Sequence, residues 1–131
     1  MTRGFQFIVL VLLIFSCNDT TQKFDQQSLD NKRMNIVSFI NASPCTTPAG
    51  CRAIAVGSKP CGGPTEYFIY PTMLDTVKLS QMVEAYTMDM SSYHIKWKVS
   101  SDCSLVSPPD SSRCVSGACY GYWNGLALRQ Q

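Results

Sequence analysis

"TMLDTVKLSQMVEAYTMDMS", residues 72–91, carries the clearest helical period in the chain. Leu79, Met82, Val83, Tyr86 and Met90 recur at steps of three and four, which lines them along one face of a 3.6-residue helix. Lys78, Gln81, Glu84 and Asp89 fall largely off that face. Thr72 followed three residues later by Asp75 has the form of a capping box, with Asp in place of the usual Glu. One amphipathic helix needs an apolar surface to cover, and the sequence on either side of it reads as strand.

Before the helix, "IVSFI" (36–40), "CRAIAVG" (51–57) and "EYFIY" (66–70) are short β-branched or aromatic runs separated by turn residues. In the second run Cys51, Ala53 and Ala55 fall on one side and Ile54 and Val56 on the other, so both faces of that strand are expected to be covered. Gly62-Gly63-Pro64 forms a turn between the last two runs. After the helix, "YHIKWKVS" (93–100) alternates Tyr93, Ile95, Trp97 and Val99 with His94, Lys96, Lys98 and Ser100, the period of a strand with one wet face. The tail is expected to hold an irregular loop at 107–112, a short strand near 117–123 and a frayed end. The fold class is therefore α+β: a small antiparallel sheet with one principal helix at about 72–91.

The chain has seven cysteines, an odd number that leaves one over if the rest pair. Cys45, Cys51 and Cys61 cluster early, and Cys103, Cys114 and Cys119 cluster late. Six cysteines permit 15 connectivities, but three is odd, so at least one bridge must join the clusters and enclose the helix. Disulfides persist in oxidising compartments outside the cytoplasm. The expectation is a disulfide-stapled exported domain.

The seventh cysteine, Cys17, has a different setting. A basic residue, Arg3, precedes an apolar run from Phe7 to Phe15, too short to span a bilayer, which takes roughly 20 apolar residues. This is the layout of a secretory signal peptide over residues 1–16. Ile14-Phe15-Ser16-Cys17 resembles the lipobox of bacterial lipoproteins. The resemblance implies that Cys17 is lipidated and becomes the first residue of the mature chain, and that Asn18 after it directs the protein to the outer membrane. Residues 17–35, rich in Asn, Asp, Gln, Thr and Lys, read as a lipidated flexible tether with too little apolar surface to fold. Residues 36–128 then form one domain, since removal of the leader leaves chain for no more than that.

Composition excludes much chemistry. A net charge of +2, with lysines and arginines spread along the chain, gives no basic patch for nucleic acid. The cysteines are not at C-x2-C spacing and His94 is the lone histidine, so no metal site is expected and no cofactor. Glu66, Glu84 and Asp102 are the carboxylates open to acid–base work, but nothing places two of them together. No catalytic residue is expected.

What remains is loops framed by cysteines. Segments 52–60 and 104–113 are held rigid at their ends, which lowers the entropy lost on binding. Arg52, Lys59, Pro108, Pro109 and Asp110 are the candidate contact residues there. "KPCGGPTEY" (59–67) resembles the central cysteine, glycine and tyrosine of Kazal-type inhibitors over this short stretch alone. The overall pattern resembles small exported bacterial domains of unassigned activity. The expectation is a monomeric, lipid-anchored protein of the cell envelope carrying a non-enzymatic binding or inhibitor-like module for an envelope or extracellular protein. A structural envelope component and a small envelope hydrolase are the alternatives.

Overall fold

The computed structural model describes residues 2–129, with side chains described from residue 19 onward. The expected signal peptide and Cys17, the expected site of lipidation, lie outside the residues so described. The chain is α+β, with two helices, two small antiparallel sheets and three disulfides among the described residues. In order they are α1 (Thr2–Asn41), β1 (Cys51–Val56), β2 (Glu66–Pro71), α2 (Thr76–Trp97), β3 (Ser111–Val115), β4 (Ala118–Trp123) and β5 (Leu126–Leu128).

The β1–β2 hairpin is the middle layer. It pairs Cys51 with Pro71 through Val56 with Glu66. Alternation sends Ile54, Val56, Phe68 and Tyr70 to the helices, where they meet Leu29, Ile36, Val37 and Ile40 of α1 and Leu79, Val83 and Tyr86 of α2. Cys51 and Ile69 face the other way, onto Cys45 and Cys119, with Cys114 and Trp123 packed against them. The expectation of cover on both faces of this hairpin holds, and it produces two cores: one of helices, one of disulfides. The exposed Ala53 and Ala55 mark where that second cover stops.

Two stretches expected as strands are helical. "IVSFI" belongs to the last turns of α1, and residues 19–35 of the stretch 17–35 expected as a flexible tether belong to the same helix. Their buried positions, Leu29, Ile36, Val37 and Ile40, stand at helical spacing across the boundary expected at residue 35. A polar stretch need bury only one stripe to be held, and Leu29 with the stem of Arg33 completes that stripe. "YHIKW" is the end of α2: Tyr86, Met90, Tyr93 and Trp97 continue its inner face, leaving Ile95 78% exposed. Large β-formers at period two also fit a helix when every second one is free to face solvent.

The start of α2 differs too. Asp75 is the N-cap, its carboxylate accepting from the Lys78 N–H at 3.0 Å. Thr72 is occupied elsewhere, its N–H donating to the Gly50 carbonyl at 2.9 Å. Lys98, left-handed at φ 50°, closes the helix, its N–H turned back to the carbonyls of His94 and Ile95.

The tail is a meander rather than a lone strand and a frayed end. β3 pairs with β4 and β4 with β5, all antiparallel. Ser116-Gly117 and Asn124-Gly125 join them, each with two consecutive positive φ angles. This is the backbone of the two-residue hairpin turn that suits right-twisted strands, and Asn-Gly is its strongest sequence signature.

The bridges are Cys45–Cys114, Cys51–Cys119 and Cys61–Cys103. Every bridge joins the early cluster to the late one and encloses α2. With separations of 69, 68 and 42 residues, each alone removes about 4 kcal/mol of freedom from the unfolded chain.

Candidate functional site

Beside the start of β2, between α1 and the ends of β4 and β5, a cleft of about 510 Å³ opens. Arg33 comes to it from α1, Thr65, Glu66 and Tyr67 from the start of β2, and Val106 from the segment between α2 and β3. Trp123 at the end of β4, Leu128 of β5 and Arg129 complete the wall. Tyr67 is there by alternation, since it shares the face of Ile69, opposite Glu66 and Phe68. Trp123 is there because Gly121 lies beneath it: a Cβ at Gly121 would stand 2.6 Å from the indole ring and 2.9 Å from Ile69. The indole Nε1–H donates to the Ser107 carbonyl at 3.0 Å, which ties the ring to the same segment that supplies Val106.

The polar side of the cleft is built around a forked ion pair. Arg33 donates from Nε and Nη2 to the two carboxylate oxygens of Glu66, both at 2.8 Å, and its guanidinium sits 5.3 Å from the centre of the Phe68 ring. The hydrogen bonds to Glu66, more than offsetting partial burial, push the guanidinium's proton affinity further up. Arg129 reaches the Asn41 side chain at 3.4 Å. The cleft is thus walled by tyrosine, tryptophan and arginine, the side chains that most often dominate binding energy at protein interfaces. Its volume is in the range of pockets that bind ligands.

None of the loop residues singled out from the sequence lines this cleft. Arg52 is exposed on β1, donating to the Cys51 carbonyl at 3.1 Å. Lys59 is drawn inward: its side chain is 14% exposed, and its ammonium donates to the Ser104 carbonyl at 2.6 Å and lies 3.6 Å from Asp102. Pro108 is exposed and Pro109 half-buried. Asp110 braces the β4–β5 turn, accepting from the Asn124 N–H at 2.8 Å, while its own N–H donates to the Tyr122 carbonyl at 2.8 Å. The charges within the framed loops are mostly engaged by partners inside the molecule.

The carboxylates with possible acid–base roles stay apart. Glu66 is held by Arg33, Glu84 points outward from α2, and Asp102 sits on the segment before β3. Hydrogen bonds from the backbone and hydroxyl of Ser104 hold the Asp102 carboxyl below its ordinary range. His94 is on α2, not on a strand, and its buried Nδ1 has no hydrogen-bond partner. A second groove, about 240 Å³, runs between the helices. Its charges are paired across the seam: Lys32 with Asp89, and Asp25 with both the Lys96 ammonium at 2.6 Å and the Trp97 indole N–H at 3.0 Å. Those two donors, Lys96 first, lower the affinity of Asp25 for a proton.

The sulfurs of Cys45, Cys51 and Cys119 lie within 4.8 Å of one another, but each is bonded in a disulfide and has no thiolate to offer a metal. Among the described residues no helix is long and apolar enough to cross a membrane. Comparison with protein-family models, with curated proteins and with solved structures finds no match to this chain. What the chain can be assigned to rests on its own chemistry: a disulfide-stapled α+β module with an aromatic and basic cleft. Tyr67, Trp123, Leu128, Arg33 and Arg129 carry that cleft. The Asn124-Gly125 turn after Trp123 is the sequence signal that could have marked it, because it brings β5, with Leu128, back alongside β4.

Proposed function

We propose that the protein is a lipid-anchored component of the cell envelope, held to the outer membrane through Cys17, and that its stapled domain binds an envelope or extracellular protein without chemical turnover. The cleft walled by Tyr67, Trp123, Leu128, Arg33 and Arg129 carries this reading. It combines the side chains favoured at binding hot spots with walls fixed by bridges on either side, so little order is lost on docking. The six bridged cysteines support export, and the seventh, Cys17, follows an apolar run and a small residue as a lipid-bearing cysteine does.

With the lipid on Cys17, the anchor is short. Gln22 of α1 already reaches α2, its amide donating to the Tyr93 hydroxyl at 3.4 Å, so little chain lies between the lipid and the domain, which is held near the bilayer rather than on a long leash.

The anchor is tested by the intact mass of protein purified from its native membrane: a lipid-bearing chain starting at Cys17 is expected, and an unmodified one overturns it. The binding surface is tested by placing a photo-crosslinking side chain at Leu128 in cells. One specific adduct is expected, lost on Arg129→Glu; no adduct, or one indifferent to that substitution, removes the cleft from consideration.

A further inference from the structure

The three disulfides differ sharply in their surroundings. Cys45, Cys51 and Cys119 are 5%, 1% and 6% exposed and Cys114 is half-buried, so two bridges are shielded within the second core. Cys61 and Cys103 are both exposed. Thiol–disulfide exchange needs a thiolate to reach a sulfur along the bond axis, so access selects the bridge that reacts first.

What this bridge restrains is equally distinct. The segment from residue 99 to 109 has no helix or strand, and not one of its residues is buried. Cys103 itself is held left-handed, at φ 53°, a region that side chains other than glycine avoid. Apart from the bridge and the bond from the Val99 N–H to the His94 carbonyl at its start, the segment is fixed to the rest of the molecule through Lys59 and through the Trp123 indole bonded to Ser107. A stretch with so few buried contacts belongs to the least stable end of a fold. It also supplies Val106 to the cleft wall.

We propose that Cys61–Cys103 is a thiol-exchange site of the folded protein, opened by a dithiol, and that opening it unfastens the 99–109 wall of the cleft. One thiolate of the dithiol attacks the Cys61 sulfur, forming a mixed disulfide and expelling the Cys103 sulfur as a thiolate. The Lys59 ammonium, which bonds residues on both sides of Cys103, favours that leaving group. The second thiol of the dithiol then displaces Cys61. Two electrons and two protons pass to the cysteines, and the dithiol leaves as its own disulfide.

The consequence for docking rests on the cleft being the binding surface; the exchange itself does not. The folded, full chain is treated with graded dithiothreitol, trapped with an alkylating reagent and mapped by peptide mass. Cys61 and Cys103 are expected to be alkylated at a reductant concentration about tenfold or more below that which opens the other bridges. In the same samples the indole N–H resonance of Trp123 is expected to move, while that of Trp97, bonded to Asp25, stays as an internal control. A Cys61→Ser/Cys103→Ser variant is expected to show the shifted Trp123 resonance without reductant. Simultaneous opening of all three bridges overturns the proposal, and so does selective opening that leaves the Trp123 resonance in place. No ligand enters either readout, so this outcome is independent of the crosslinking result at Leu128.

Discussion

Gly57 shows how one position can bind three elements. Its φ is 77°, and a Cβ there would stand 2.1 Å from the Thr65 hydroxyl and 3.0 Å from the Met90 sulfur, while its N–H donates to Thr87 at 3.1 Å. Glycine is required both for the left-handed turn at the end of β1 and for the close approach of α2. Gly57→Ala is expected to cost about 2–5 kcal/mol in a urea titration, from backbone strain and overpacking together. At Arg33 the fork geometry, not the charge, does the holding. Arg33→Lys keeps the charge and loses the paired hydrogen bonds to Glu66, so a loss of about 1–2 kcal/mol is expected in the same assay. An unchanged midpoint would mean that the pair contributes nothing beyond attraction across solvent.

At the scale of elements, α1 is held by a single stripe rather than by its composition. Ile36, 1% exposed, lies at the centre of that stripe. Ile36→Ala is expected to destabilise the helical core by about 2–4 kcal/mol, read as a lowered midpoint of the helical circular dichroism. Residues 19–40 acting as a free tether would leave the transition unmoved. The helix pair also carries a pH signature. The Asp25 carboxyl, stabilised by Lys96 and Trp97, has its pKa lowered in the folded state, so its contribution is complete above the ordinary aspartate value and is lost as pH falls through the lowered one. The indole N–H resonance of Trp97 is therefore expected to shift at a lower pH than that at which an ordinary aspartate titrates, and Asp25→Asn should flatten that response.

For the whole molecule, the division into two cores sets the order of failure. The helical core, built on α1, α2 and one face of β1–β2, contains no cysteine. The second core is made largely of cystine and carries the meander β3–β5 on it. Cys51→Ala/Cys119→Ala removes the most deeply buried bridge and is expected to cost about 3–5 kcal/mol. Loss of the Trp123 environment should precede loss of helical circular dichroism on heating. A single coincident transition would show that the two cores fold as one unit.

The sequence alone determined the α+β class, the β1–β2 hairpin with its two covered faces, the body of α2 and the joining of early to late cysteines. Those features are local or arithmetical: alternation, a 3.6-residue period, turn residues and an odd count. It did not reveal α1 from residue 19 onward, the last turns of α2 or the cleft. In α1 the stabilising stripe is visible only once a partner surface exists for Leu29, Ile36 and Ile40. In "YHIKW" two periods fit the same residues, and continuity of packing from Tyr86 through Tyr93 to Trp97 chose between them. The loop charges at Lys59 and Asp110 looked available for a partner, but tertiary contacts engage them internally. Tyr67, Trp123 and Arg33, distant in sequence, meet because the disulfide core holds the meander against the hairpin. Long-range pairing of that kind depends on which surfaces are left to be covered, and that is a property of the folded chain.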